Sequence, residues 1–348
     1  MKQNQDNSPR IGRRRFLQII AAAGATGALW QLGLRKKILQ SRIVRQSRAM
    51  MGTQINLVVH GPDRDACEEA VQAVFSRMEN LIGSFSRHSP ESELSLLNRT
   101  GSLKNPGRDL QQVLLLSEQV SRKTEGSFDI SVLPLLNLYK TRLADGSMPA
   151  EEELRQTLRL VDYRKITIGP EAIILAENGM GITLDGIGKG YIVDQGIATL
   201  QSRGFTSVYV EAGGDLMVTG AKEGDRSWRI GIRNPRPGTS DKLIAVDITN
   251  RAVATSGDYM QPFTPDLRYH HIIDPRTGIS PPELASATVT APTVAMADAL
   301  ATAAMVLGPD KSLALLESIP DCEGYFISKD LHPFRTSGFS ARHEKFSS

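Results

Sequence analysis

Residues 285–308, ASATVTAPTVAMADALATAAMVLG, constrain the fold more than any other stretch. The alternating first part reads as a strand, Ala291-Pro292-Thr293 as a turn, and the remainder as a helix. From Val294 to Leu307 nearly every residue is Ala, Met, Leu or Val, so this helix is apolar on all sides and belongs inside a core. Two oxygen-bearing side chains interrupt it. Asp298 and Thr302 lie four residues apart and leave the same helix face. A carboxylate in an apolar core has to be hydrogen-bonded, paired or metal-bound. A hard cation such as Mg2+ meets that demand, taking carboxylate and hydroxyl oxygens and leaving room for phosphate oxygens. Stabilisation of Asp298 by the helix dipole, with Thr302 bonded back to a carbonyl, meets it too. On this stretch alone both readings stand.

At 348 residues the chain can bury a large core, as one domain or two. Its formal charge of +3 hides an asymmetry: residues 1–48 carry +10, so residues 49–348 carry −7. A mildly acidic body argues against a nucleic-acid partner. The basic excess surrounds Gly12-Arg13-Arg14-Arg15-Phe16-Leu17-Gln18 and the apolar IIAAAGATGALWQLGL, which is shorter than a membrane span and closed by Arg35-Lys36-Lys37. Twin arginines, a spacer and Phe-Leu ahead of an Ala/Gly-rich segment resemble a bacterial twin-arginine export signal. The expectation is a periplasmic or otherwise extracytoplasmic protein exported by the twin-arginine machinery. No clear small-x-small cleavage site precedes Arg35, so two fates stay open, removal and retention as an inner-membrane anchor. Of the two cysteines, Cys67 falls on an amphipathic helix and reads as a core residue rather than half of a disulfide with Cys322.

Along the chain, periodicity predicts a strand at 54–59, helices over 64–82 and 109–124 with a short one between them ending near Asn98, and a helix in AEEELRQTL. Short strands follow within 165–184, and a helix opens in GIGKGY. Strands are expected at 206–211, 215–219, 228–233, 243–249, 268–274, 286–291 and 323–327, with a last helix near 309–318. Separate helices and strand runs fit α+β better than a regular βαβ array. One unit over 48–335 is expected, with a signal or anchor and linker at 1–47 and a polar tail at 336–348.

Three motifs carry chemistry. Thr183-Leu184-Asp185-Gly186-Ile187-Gly188-Lys189-Gly190-Tyr191 reads as a strand entering a helix through three glycines, where backbone N–H groups and Lys189 suit a phosphate or pyrophosphate. Its GxGxG differs from the dinucleotide fingerprint GxGxxG, and a plain tight turn is the competing reading. Glu211-Ala212-Gly213-Gly214-Asp215 reads as a structural turn between strands. Tyr269 to Gly278, YHHIIDPRTG, reads as a strand ending in a turn, with His271 and Ile273 on one face and His270 on the other. Adjacent histidines on a strand do not chelate one ion readily. No zinc spacing and no nucleophile elbow appear.

Taken in order, Met51-Gly52-Thr53, SFSRHSPESELSLLN, GSFDISVLPLLNLY, LDGIGKGYIVD, VEAGGDL, WRIGIRNP, AVATSGDY, HHIIDPRTG and VTAPTVAMADALATAAMVLG resemble the ApbE family of FAD:protein FMN transferases. The resemblance implies an α+β, T-fold-like two-lobed unit, a mixed sheet core with flanking helices and an FAD site between the lobes. It implies Mg2+-dependent cleavage of the FAD pyrophosphate, joining of FMN to a Thr or Ser hydroxyl of a target flavoprotein, and release of AMP. By the same resemblance Met51, Phe85, Ser127, Phe128, Asp129, Lys189 and Ile273 match FAD-contacting positions. Phe85 stands where many relatives carry Tyr, keeping a stacking surface without the hydroxyl. Where many relatives carry an Asp this chain has Thr183, and its own Asp follows as Asp185, so either is a candidate FAD contact. The metal positions fall on the Gly186 carbonyl and the side chains of Asp298 and Thr302.

Phosphoryl transfer of this kind rests on positioning and charge stabilisation. His271 is the candidate for deprotonating the incoming hydroxyl, with Asp298 as the other candidate base. Two alternatives share the site: an FAD pyrophosphatase giving free FMN and AMP, and an exported FAD-binding protein without catalysis. An exported enzyme of the resembled kind would serve an extracytoplasmic flavoprotein, a membrane electron-transfer subunit among the candidates.

Overall fold

In the computed structural model, which describes residues 43–222, 226–238 and 242–345, strands and helices segregate as an α+β fold. The strands are β1 (Ile43–Met50), β2 (Thr53–His60), β3 (Ser102–Lys104), β4 (Ile166–Ile168), β5 (Ala172–Leu175), β6 (Ser207–Ala212) and β7 (Asp215–Thr219), then β8 (Trp228–Ile232), β9 (Lys242–Ile248), β10 (Arg251–Gly257), β11 (Leu284–Ala291), β12 (Glu323–Ser328), β13 (Pro333–Arg335) and β14 (Ala341–Lys345). The helices are α1 (Arg64–Phe85), α2 (Glu93–Thr100), α3 (Arg108–Lys123), α4 (Leu133–Ala144), α5 (Glu151–Leu158), α6 (Gly188–Ser202), α7 (Val294–Leu307) and α8 (Pro309–Glu317). The twin-arginine stretch lies outside the described residues. Among the described residues no helix is long and apolar enough to cross a membrane.

Eight strands build the main sheet in the order β1-β2-β6-β7-β10-β11-β12-β13. Every pairing in it is antiparallel, so the sheet expected to be mixed is antiparallel throughout. Its strands alternate as a two-sided sheet requires. In β6, Val208, Val210 and Ala212 join the core under the helices, whereas Tyr209 faces the other way and stacks on Trp228 with ring centroids 5.6 Å apart. That second face is covered by the three-stranded sheet β14-β9-β8. The stretch 336–348, expected as a polar tail, contributes β14, whose partner is β9.

On the helical face α7 lies against β10 and β11 and beside α6, and α6 in turn packs on α1. The stripe Cys67, Ala70, Val74, Met78 and Leu81 of α1 is buried, and Asp63 caps the helix by accepting the Ala66 N–H at 2.8 Å. No disulfide joins Cys67 to Cys322. Eleven of the fourteen residues of α7 are buried, and all eight of β11 beneath it.

Two expected strands are not strands. Between β10 and β11 the segment around 268–274 forms a single bridge, His270 to Pro262, and then turns. Its backbone groups find loop partners: His270 N–H donates to Ser280 Oγ at 2.9 Å and His271 N–H to the Gln261 carbonyl at 3.1 Å. Ile272 and Ile273 are both buried, so the two-faced alternation that a strand needs is absent. Ahead of the glycine turn, the Asn98 side chain takes a neighbouring strand's place, accepting from Ile182 N–H at 2.7 Å and donating to Ile182 carbonyl at 2.8 Å. This segment therefore runs extended without joining a sheet.

Candidate active site

The polar groups of the buried helix meet the glycine turn. Asp298 is 5% exposed, and its Oδ2 accepts the Gly190 N–H at 3.2 Å in the first turn of α6. Its other oxygen accepts no hydrogen bond among the described residues. One turn further on, Thr302 Oγ1 lies 3.2 Å from Ser256 Oγ of β10. A Cβ placed on Gly186 would come within 3.1 Å of Thr302 Oγ1 and 3.2 Å of the Phe128 ring. Gly186, Asp298 and Thr302, the three positions expected around a metal, are thus brought together by α7 and the turn before α6.

Charge is concentrated at the same place. Lys189 Nζ pairs with Asp215 Oδ2 at the head of β7, and Asp215, 1% exposed, also accepts the Thr255 N–H at 3.3 Å. Burial raises the Asp298 carboxyl well above the ordinary carboxylate range and Asp215 adds to the rise, while Lys189 and the Gly190 N–H oppose it. For Lys189 burial pulls downward, but Asp215 and Asp298 together override it, so the ammonium is held charged. Asp215 is the member that the sequence alone does not single out. Gly213 and Gly214, at φ +60° and +104°, make the tight β6–β7 turn expected there, and that turn delivers a buried carboxylate to the site.

Thr183 and Asp185 have separate places. Thr183 is buried and its Oγ1 accepts the Asp185 N–H at 3.2 Å, whereas the Asp185 carboxylate points out and pairs with Arg87 at 3.1 Å. Phe85, at the end of α1, is buried against the Tyr191 ring at 5.7 Å. Met51 sits in the β1–β2 turn at φ +54° and packs on the main core. Ser127 is buried with its Oγ unbonded. Asp129 spends its carboxylate on the chain itself, accepting Ser131 N–H at 2.7 Å, Ser131 Oγ at 2.6 Å and Tyr163 N–H at 2.9 Å. Ile273 packs with Leu135 and Tyr139 in a cluster of its own.

His271 lies half-buried within the fields of Asp185 and Lys189, and its Nδ1 has no hydrogen-bond partner among the described residues. Burial lowers its pKa, the Gln261 backbone and Asp185 oppose that fall, and Lys189 reinforces it, so the ring is neutral near pH 7. Its neighbour His270 is fully buried with both ring nitrogens unbonded, and burial pushes it down to about 4.

Among the described residues no group of three or more His, Cys, Asp or Glu side chains gathers as a metal site. What lies together is the Asp298 carboxylate, the Thr302 hydroxyl one helical turn on, and Gly186 packed against that hydroxyl.

The ApbE family model matches residues 51–326. The FAD:protein FMN transferase of Treponema pallidum is 30% identical over 345 residues, covering 90% of this chain and 95% of that protein. The FAD:protein FMN transferase of Vibrio cholerae is 30% identical over 282 residues, covering 79% of this chain and 84% of that protein. Among solved structures, the flavin transferase ApbE from Vibrio cholerae superposes with a TM-score of 0.75 at 27% identity, covering 85% of this chain and 98% of that one. The ApbE protein from Thermotoga maritima gives 0.75 at 26% identity, with 85% and 97% covered. The chain belongs to the ApbE family.

Proposed function

We propose that this protein transfers the FMN half of FAD to a Thr or Ser hydroxyl of a target flavoprotein, forming a phosphoester and releasing AMP. The observation that carries the proposal is the buried Asp298, under-bonded on an apolar helix and set beside Lys189, Thr302 and the glycine turn. Family members named as FAD:protein FMN transferases support the same chemistry.

The residues present fit a hard divalent cation. Asp298 keeps one oxygen without a donor among the described residues, and Thr302 Oγ1 stands against Gly186. Asp298, Thr302 and the Gly186 carbonyl would hold Mg2+, which when bound supplies charge neutralisation for pyrophosphate oxygens. The chain's own groups do the rest. Lys189, held charged, adds positive potential where the pyrophosphate bridge breaks. The α6 N-terminus contributes its dipole in the same direction. Phe85 and Phe128 offer apolar surface for the flavin, and Met51, Ser127, Asp129, Thr183 or Asp185, and Ile273 complete the proposed FAD contacts. His271, neutral and within the fields of Asp185 and Lys189, takes the proton of the acceptor hydroxyl as its oxygen attacks phosphorus.

The Arg13–Arg15 stretch and the apolar segment behind it support export by the twin-arginine route, and so an extracytoplasmic target, a membrane electron-transfer subunit being one candidate. Mass spectrometry of a Thr-containing candidate target after incubation with the protein, FAD and Mg2+ tests the reaction. The expected result is an added FMN on the target with AMP released in equal amount. Free FMN with an unlabelled target would mean a pyrophosphatase, and bound intact FAD with no AMP a non-catalytic carrier.

A further inference from the structure

Asp194 has no expected role, yet it holds the helix that carries Asp298. It lies on α6, one turn beyond Gly190, and its carboxylate spans the start of α7. Oδ1 accepts the Val294 N–H at 2.8 Å and Oδ2 the Ala295 N–H at 2.9 Å. Thr293 takes the next two donors, its Oγ1 accepting Met296 N–H at 3.3 Å and its carbonyl Ala297 N–H at 3.1 Å. A helix normally caps its first turn from its own N-cap residue. Here half of that work is done by a residue about one hundred positions away in sequence, on the helix alongside.

The same two turns of α6 fix α7 at two other points. A Cβ on Gly190 would come within 2.6 Å of the Val294 carbonyl oxygen and 2.7 Å of Ala295 N, so the helices touch backbone to backbone there. The Gly190 N–H itself bonds Asp298 Oδ2 at 3.2 Å. All three contacts fall within about a turn of Asp298. A carboxylate that must meet a cation tolerates little displacement, and groups that orient a ligand are worth about 10- to 100-fold in metal affinity.

We infer that Asp194 is a positioning residue for the metal site: by clamping the α7 N-terminus to α6 it sets the depth and rotation at which Asp298 and Thr302, both carried by α7, face Gly186 in the turn before α6. The inference rests on the Mg2+ reading of Asp298 proposed above. In Asp194→Asn an amide N–H2 replaces one acceptor, so one of the two backbone donors loses its partner and the clamp loosens without loss of side-chain volume.

The test compares wild type, Asp194→Asn, Asp194→Glu and Asp63→Ala, the last removing an ordinary cap of α1 away from the site. Melting temperature and FMN-transfer rate are followed against Mg2+ concentration. Asp194→Asn should need about tenfold more Mg2+ for half of its thermal shift and half of its maximal rate, with the FAD KM and the rate at saturating Mg2+ near wild type. Asp194→Glu should recover part of that loss, and Asp63→Ala should melt earlier with unchanged Mg2+ dependence. An Asp194→Asn protein that only melts earlier, with the wild-type Mg2+ midpoint, overturns the positioning role and leaves the metal site standing. A wild-type protein whose melting ignores Mg2+ overturns the metal site, and this inference falls with it.

Discussion

Two buried aspartates, about forty positions apart, are treated in opposite ways. Asp258, just after β10, is fully buried and saturated: Arg236 grips it with two hydrogen bonds of 2.8 and 2.7 Å, and Lys329 Nζ stands 3.8 Å away. Asp298 is nearly as buried and receives one backbone N–H at 3.2 Å, with Asp215 raising its pKa further. A paired carboxylate of the first kind ties Arg236 and Lys329 to the end of β10 and is satisfied there. One of the second kind is an unmet demand for positive charge, which a fold keeps at a functional site and removes elsewhere.

Neutralising the demanding carboxylate gives the largest effect expected. Asp298→Asn should lower FMN transfer by about three orders of magnitude, the several kcal/mol a metal-held charge supplies, while the protein stays folded. Transfer rates with circular dichroism on the same sample check this, and near-normal turnover in a folded variant would erase the contrast.

Asp258→Ala should do the reverse. Leaving Arg236 and Lys329 without their carboxylate destabilises the fold by about 3–5 kcal/mol, read by denaturant unfolding, with activity per folded molecule largely kept. Equal losses of activity from both variants would mean that the two carboxylates are not functionally distinct.

The smallest effect sharpens the comparison through pH. Because the folded-state pKa of Asp298 is raised, its protonated form is the favoured one in the fold. That stabilisation is full below the unfolded-state value near 4 and is lost as pH rises through the raised folded value. Without metal, Asp298→Asn should therefore melt a few degrees above wild type at pH 8, the gap closing toward pH 5. A gap that is flat with pH would mean that Asp298 is not held against its charge.

Asp298 and Thr302 are legible in the sequence because an i, i+4 polar pair inside a run of Ala, Leu, Val and Met carries a burial cost that a plain core helix avoids. Asp215 is not, since GGD before a strand carries only the signal of a turn, and its burial depends on Lys189 arriving from another element. Asp194 is hidden for the same reason, its partners being backbone N–H groups of a distant helix. Strand β1 escapes periodicity because IVRQSRAM places two arginines along a sheet-edge strand, and β10 because RAVATSG is small-chained, with few β-branched or aromatic residues to mark it. The stretch Tyr269–Gly278 looks like a strand because its β-branched residues suit one, while its hydrogen bonds close locally.

The central claim, that Asp298 is a cation ligand at a diphosphate site, is tested most directly by crystals of the protein grown with FAD and Mn2+ in place of Mg2+. The expected result is an anomalous peak bonded to the Asp298 carboxylate, Thr302 Oγ1 and the Gly186 carbonyl, touching the FAD pyrophosphate. Manganese and FAD bound elsewhere, with Asp298 still held only by the Gly190 N–H, would contradict it.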